Sequence, residues 1–175
     1  MSPERSQSPI TFEEIISNAK EIMVRDGNHV PILIVEGNKN SAAGQIPDLP
    51  ETHEERMKLM HLLGQAMANS GRIDQLKQVF MVTEGWMSIV SNEEQIETHP
   101  SEDPDRREVL IISAIQMTEN KKLLKVFEIL RDRHEQVLGF DEFLPDEKKK
   151  DESVDTPLLD AFVQGFQAAF RALNN

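Results

Sequence analysis

The chain has 175 residues, 38% of them apolar, with no cysteine and a formal net charge of −12 at neutral pH. That length can bury a core without staples, and the missing cysteine excludes disulfides, thiolate metal sites and a cysteine nucleophile. So acidic a surface disfavours nucleic acid and anionic membrane as partners, because phosphate binding needs clustered Lys and Arg.

Residues 1–10 read as a disordered N-terminus without the apolar stretch of a secretory signal. No apolar run reaches the roughly 20 residues that span a bilayer, so a cytoplasmic location is expected. Thr11-Phe-Glu-Glu14 is a capping box, and Phe12, Ile15, Ile16, Ala19, Ile22 and Met23 follow at helical spacing. A helix is predicted over 11–26, closed by Gly27. Val30 to Val35 is short and β-branched, with Pro31 marking a strand start or an edge. The glycine-containing stretch 37–44 lacks the Gly-Lys-Ser/Thr ending of a phosphate loop and reads as a hairpin turn into a short strand, Gly44 to Pro47. Thr52-His-Glu-Glu55 is a second capping box. Met57, Leu59, Met60, Leu62, Leu63, Ala66 and Met67 then form a stripe broad enough to pack on a sheet, ending at Gly71.

The strand Gln78 to Val90 alternates Phe80, Val82, Glu84 and Trp86 on one face with Val79, Met81, Thr83 and Met87 on the other. Its opening is apolar on both faces, which predicts a central strand. A polar loop, 91–104, leads to a strand over Glu108 to Met117. The segment 122–133 fits helix or strand; strand is chosen, because a third antiparallel strand completes a stable sheet. Gln136 to Phe140 adds a short last strand. Residues 145–155 read as a charged linker. A final helix then opens at Thr156 as N-cap with Pro157 in its first turn. Phe162, Phe166 and Phe170 recur at spacing four on its apolar face. That face must dock on its own domain or on a neighbour, so a homo-oligomer, a dimer above all, or another protein partner is expected. The fold class is therefore α+β: a mostly antiparallel sheet packed by amphipathic helices, with a single domain over 11–144 and a tethered C-terminal helix over 156–175.

His53 and His61 lack the spacing of a zinc-protease helix and read as an exposed and a partly exposed histidine. A strand glutamate, Glu84, with His99-Pro100 in the following loop partly resembles the JAMM-type metallopeptidases. Those use two histidines in His-x-His-Pro; Thr98-His99-Pro100 lacks one of them, and no Asp follows Ser113. Glu102, Asp103 and Asp105 lack the spacing of a calcium loop. No Gly-x-Ser-x-Gly is present, and there is no tyrosine. The loop from Pro100 to Glu108 has a structural explanation: local turns with Arg-carboxylate bridges. Beside the only tryptophan it is also the first place to seek binding. The candidate binding residues are Glu84, Trp86, His99, Ser101, Asp105, Arg106 and Arg107; no catalytic residue, metal ligand or cofactor is assigned. A partly buried Glu84 calls for a counter-charge, for which Arg106 or Arg107 is the expected source.

Thr83-Glu-Gly-Trp-Met-Ser88 with Pro100-Ser-Glu-Asp-Pro-Asp-Arg-Arg-Glu-Val-Leu110 resembles a family of small uncharacterised bacterial proteins, over about Val30 to Phe140. The resemblance implies a bacterial cytoplasmic protein and no known activity. The functional expectation leans away from an enzyme: a non-catalytic binding or regulatory module with its surface near Trp86 and residues 99–107. The alternative is a metal-dependent hydrolase using His99, Glu84 and the loop carboxylates.

Overall fold

Thr11 caps the first helix as its sequence demands. Its hydroxyl accepts from the Glu14 N–H, and the Glu14 carboxylate accepts from the Thr11 N–H. This helix, α1 (Phe12–Asp26), ends at Gly27, whose φ of 76° no side chain adopts cheaply. The computed structural model describes residues 8–88, 104–144 and 154–175. Within them the chain continues through β1 (Ile32–Gly37), β2 (Ser41–Gln45), α2 (His53–Asn69), β3 (Leu76–Met87), β4 (Arg107–Gln116), β5 (Lys121–Arg131), β6 (Val137–Glu142) and α3 (Pro157–Leu173). The expected linker lies mostly outside the described residues, as do His99 and Ser101.

The six strands form one antiparallel sheet in the order β2-β1-β3-β4-β5-β6. The fold is therefore α+β. The segment with ambiguous periodicity is a strand, β5, because pairing with both β4 and β6 outweighs its helical spacing. The β1–β2 turn is a plain hairpin. It is tied down by Asn38 to Gln75 and by Asn40 to the Arg72 carbonyl, and β2 starts three residues earlier than its glycine suggests.

Alternation along β3 divides the core in two. Phe80 and Val82 join Leu110, Ile112, Phe127 and Ile129 under α1. Val79 and Met81 join Leu33, Val35 and Ile115 under the α2–α3 pair on the other face. The broad stripe of α2 does not lie flat on the sheet, contrary to its predicted role. Only Met60, Gly64 and Ala68 are buried, Leu62 is exposed, and the neighbour of α2 is α3. The cause is a backbone-to-backbone crossing. A Cβ on Gly64 would lie 2.1 Å from the Phe162 carbonyl oxygen, and one on Gly165 would lie 2.0 Å from that of His61. The apolar face of α3 buries Leu159, Phe162 and Phe166 within its own chain. No helix among the described residues is long and apolar enough to cross a membrane.

Candidate functional site

On the α1 face the sheet changes character where the helix stops. Along β3, buried Phe80 and Val82 give way to Glu84 and Trp86. On β4, Leu110 stands opposite Glu84 and Glu108 stands opposite Trp86. On β5, Phe127 and Ile129 give way to Arg131. A helix leaves unsatisfied carbonyls at its C-terminus, and Arg131 answers one of them by donating to the Gly27 carbonyl at 2.8 Å. The same guanidinium grips Glu108 through two bonds of 2.7 and 2.6 Å. This charged hydrogen bonding to Glu108 raises the Arg131 pKa further above its ordinary value.

Beyond the helix the chain turns back at His29, which is buried. Its backbone N–H donates to the Glu84 carboxylate. Its ring Nδ1 lies 2.8 Å from the Val30 carbonyl and, since a carbonyl only accepts, donates to it. Burial pushes the Glu84 carboxyl up from its ordinary value. The His29 N–H opposes this, nearby Glu108 adds to it, and Arg131 holds it back. Trp86 is 46% exposed and carries the Arg106 guanidinium over its ring at 4.3 Å.

Of these residues, His29, Glu84, Trp86 and Glu108 line a cleft of about 1180 Å³. Its lining comes from both faces of the sheet: apolar Met81, Ile111, Leu124 and Leu158 belong to the α2–α3 face, opposite to the one that carries Glu84, Trp86 and Glu108. Glu51, Thr52, His53 and Arg56 enter from the start of α2, and Asp155 and Thr156 from the start of α3. The described lining holds four carboxylates (Glu51, Glu84, Glu108, Asp155) and one arginine, Arg56, with Glu108 held by Arg131 from outside the lining. Thr156 does not cap α3 as expected. Its φ of −132° and ψ of 61° give no side-chain bond to the first turn, and its buried hydroxyl has no hydrogen-bond partner among the described residues.

Of the residues singled out in the sequence, Glu84 and Trp86 line the cleft, with Arg106 stacked on the tryptophan. Asp105 lies in the turn just before β4. Arg107 is not the counter-charge of Glu84. It stands opposite Met87, on the other face of the sheet, and pairs with Glu128 at 2.8 Å. Arg106 is on the correct face but occupied with Trp86, so Arg131 and the His29 N–H serve Glu84 instead. Thr156 was legible only as a helix cap. Glu108 and Arg131 had the period-2 pattern of β4 and β5 as their signal, and His29 had none. Among the described residues no group of three or more His, Asp or Glu could hold a metal ion.

The resemblance read from the sequence pointed to a small bacterial family; the family that matches is described by a bacteriophage protein. Its model covers residues 1–166. No curated protein and no solved structure gives a significant match. The chain belongs to the bacteriophage lambda protein ea47 family.

Proposed function

We propose that the chain is a binding module that takes a basic, partly apolar polypeptide segment in the cleft beside Trp86. The observation that carries this reading is the lining itself: Glu51, Glu84 and Asp155 with one arginine, Arg56, and apolar side chains, Glu108 being already held by Arg131. Low-dielectric walls focus such a field and favour a cationic partner. The stacked Arg106 supports it, because it shows that the Trp86 ring accepts a guanidinium. The partnerless Thr156 hydroxyl supports it too, since a buried hydroxyl gains from a bond that an incoming amide or guanidinium can supply. Residues 84–87 pair with residues 107–110 in one ladder, which gives the two parts of the sequence pattern a structural reason to travel together.

Trp86 is the only tryptophan, so its emission reports on the cleft directly. A short peptide alternating arginine and leucine is expected to change that emission saturably, and a glutamate–leucine peptide is expected to leave it flat. High salt should weaken the response, since part of it is screened charge. Combined Glu51→Gln and Glu84→Gln should reduce affinity about tenfold, which corresponds to about 1.4 kcal/mol. An equal response to both peptides, or none to the basic one, defeats the reading.

A further inference from the structure

We infer that the outer edge of β2 is a self-association surface, on which two copies of the chain pair β2 to β2, antiparallel, about a two-fold axis at Ala43. β2 is the terminal strand of the sheet. The Ile46 N–H donates to the Pro31 carbonyl and the Gly37 N–H to the Asn40 carbonyl. Bonded and non-bonded pairs alternate in an antiparallel ladder, so Ala42 and Gly44 bond inward to β1. The N–H and C=O groups of Ser41, Ala43 and Gln45 therefore point outward.

Sheet edges are normally blunted by charge, proline or a bulge. β6, the other edge, carries Asp141 and Glu142 and a register shift against β5. β2 reads Ser-Ala-Ala-Gly-Gln and pairs with β1 without a shift, so it has none of the three. Gly44 adds an independent observation. Its backbone is not left-handed, and a Cβ there would meet nothing within 4 Å, so its own chain does not require glycine. A strand glycine of this kind often marks a close approach of another backbone.

The second copy is the occupant that these residues fit. Pairing Ala43 with its own equivalent sets Ser41 against Gln45 at both ends, hydroxyl to amide, and forms about six main-chain hydrogen bonds. It sets Gly44 opposite Ala42 in the close, non-bonded pair, where neither side chain obstructs the other. It brings the end carrying exposed Lys39 to the end carrying exposed Asp48. Two molecules of charge −12 repel, and β2 offers them a contact without charge of its own. The two-fold closes on itself and leaves no free β2 edge.

The chain has no cysteine, so Ala43→Cys introduces a single thiol. Opposed residues in a bonded pair have Cα atoms about 5.5 Å apart, within reach of a short bifunctional thiol cross-linker. A43C treated with such a cross-linker is expected to run as a covalent dimer, while Leu138→Cys on β6 stays a monomer under the same conditions. The unmodified chain should double its sedimenting mass as concentration rises. Ala43→Pro removes only an outward N–H and should give a monomer that melts with the wild type at concentrations too low for the dimer. Ala43→Glu, which sets two like charges on the axis, should do the same and covers the case in which the proline disturbs β2. A wild-type chain that stays monomeric at every concentration overturns the inference. So does a dimer that survives Ala43→Glu, or equal cross-linking of the two cysteine variants.

Discussion

Glu84 accepts a main-chain bond from a residue 55 positions earlier in the sequence and holds a raised carboxyl pKa because it is partly desolvated. The sign of its effect on stability follows from linkage. Between the ordinary value of 4.5 and the raised one, the folded chain binds more protons than the unfolded chain. The stabilising difference is complete below that window and is lost as pH rises through it. Glu84→Gln keeps an oxygen for the His29 N–H and removes the charge. Its urea midpoint is expected to exceed that of the wild type at neutral pH and to converge with it at about pH 4. Glu84→Ala instead strands the buried N–H and should cost about 1–3 kcal/mol. A Gln variant with the wild-type pH slope would assign that slope to another group. Strand alternation alone placed Glu84 and Trp86 on one face. It could not supply their partners, because register across the sheet and the return of the chain at His29 are tertiary facts with no local pattern.

The α2–α3 crossing is an element-scale decision made by two glycines. Interior helix glycine costs about 1 kcal/mol relative to alanine, so its presence at Gly64 and Gly165 calls for a packing reason. That reason is the approach of one backbone to the other, with no room for a Cβ at either position. Gly64→Ala and Gly165→Ala should each lower stability by about 2 kcal/mol or more, with overpacking outweighing the propensity gain. Gly139→Ala, where a Cβ meets open space, is the matched control with little expected change. Denaturant midpoints that rose in the helix variants would mean that the helices separate freely. The apolar stripe of α2 was plain in the sequence, and so was its start. Thr52 does accept from the Glu55 N–H, although the Glu55 carboxylate returns to the Thr52 hydroxyl and not to its backbone. What periodicity could not reveal was the partner, since a stripe facing a sheet and one facing a helix have the same spacing.

At the scale of the whole molecule, α3 is the last element in sequence and part of the core on one face of the sheet. Its phenylalanines were expected to need cover, and within the chain they divide unequally: Phe162 is 0% exposed and Phe166 is 2% exposed, while Phe170 is only partly buried and stacks on Phe166 at 5.8 Å. Phe162→Ala should therefore cost about 3–5 kcal/mol, a large part of a typical domain's stability of about 5–15 kcal/mol. Phe170→Ala should cost clearly less. Lys122 and Asp160 pair at 2.8 Å where α3 begins. Both are part-exposed, so that bond orients the helix more than it holds it. Ending the chain at residue 153 removes α3 and uncovers Met60, Val79 and Ile115 together. The truncated chain is expected to bind a hydrophobic dye and to lose its cooperative melt, since an apolar patch of that size is not left in water by a stable monomer. If the truncated chain melted cooperatively at the wild-type temperature, α3 would contribute nothing to the core. The Phe162 and Phe170 variants would then be equally silent. The ordered loss, Phe162 before Phe170, distinguishes a helix docked along its full apolar stripe from one held only at its first turn.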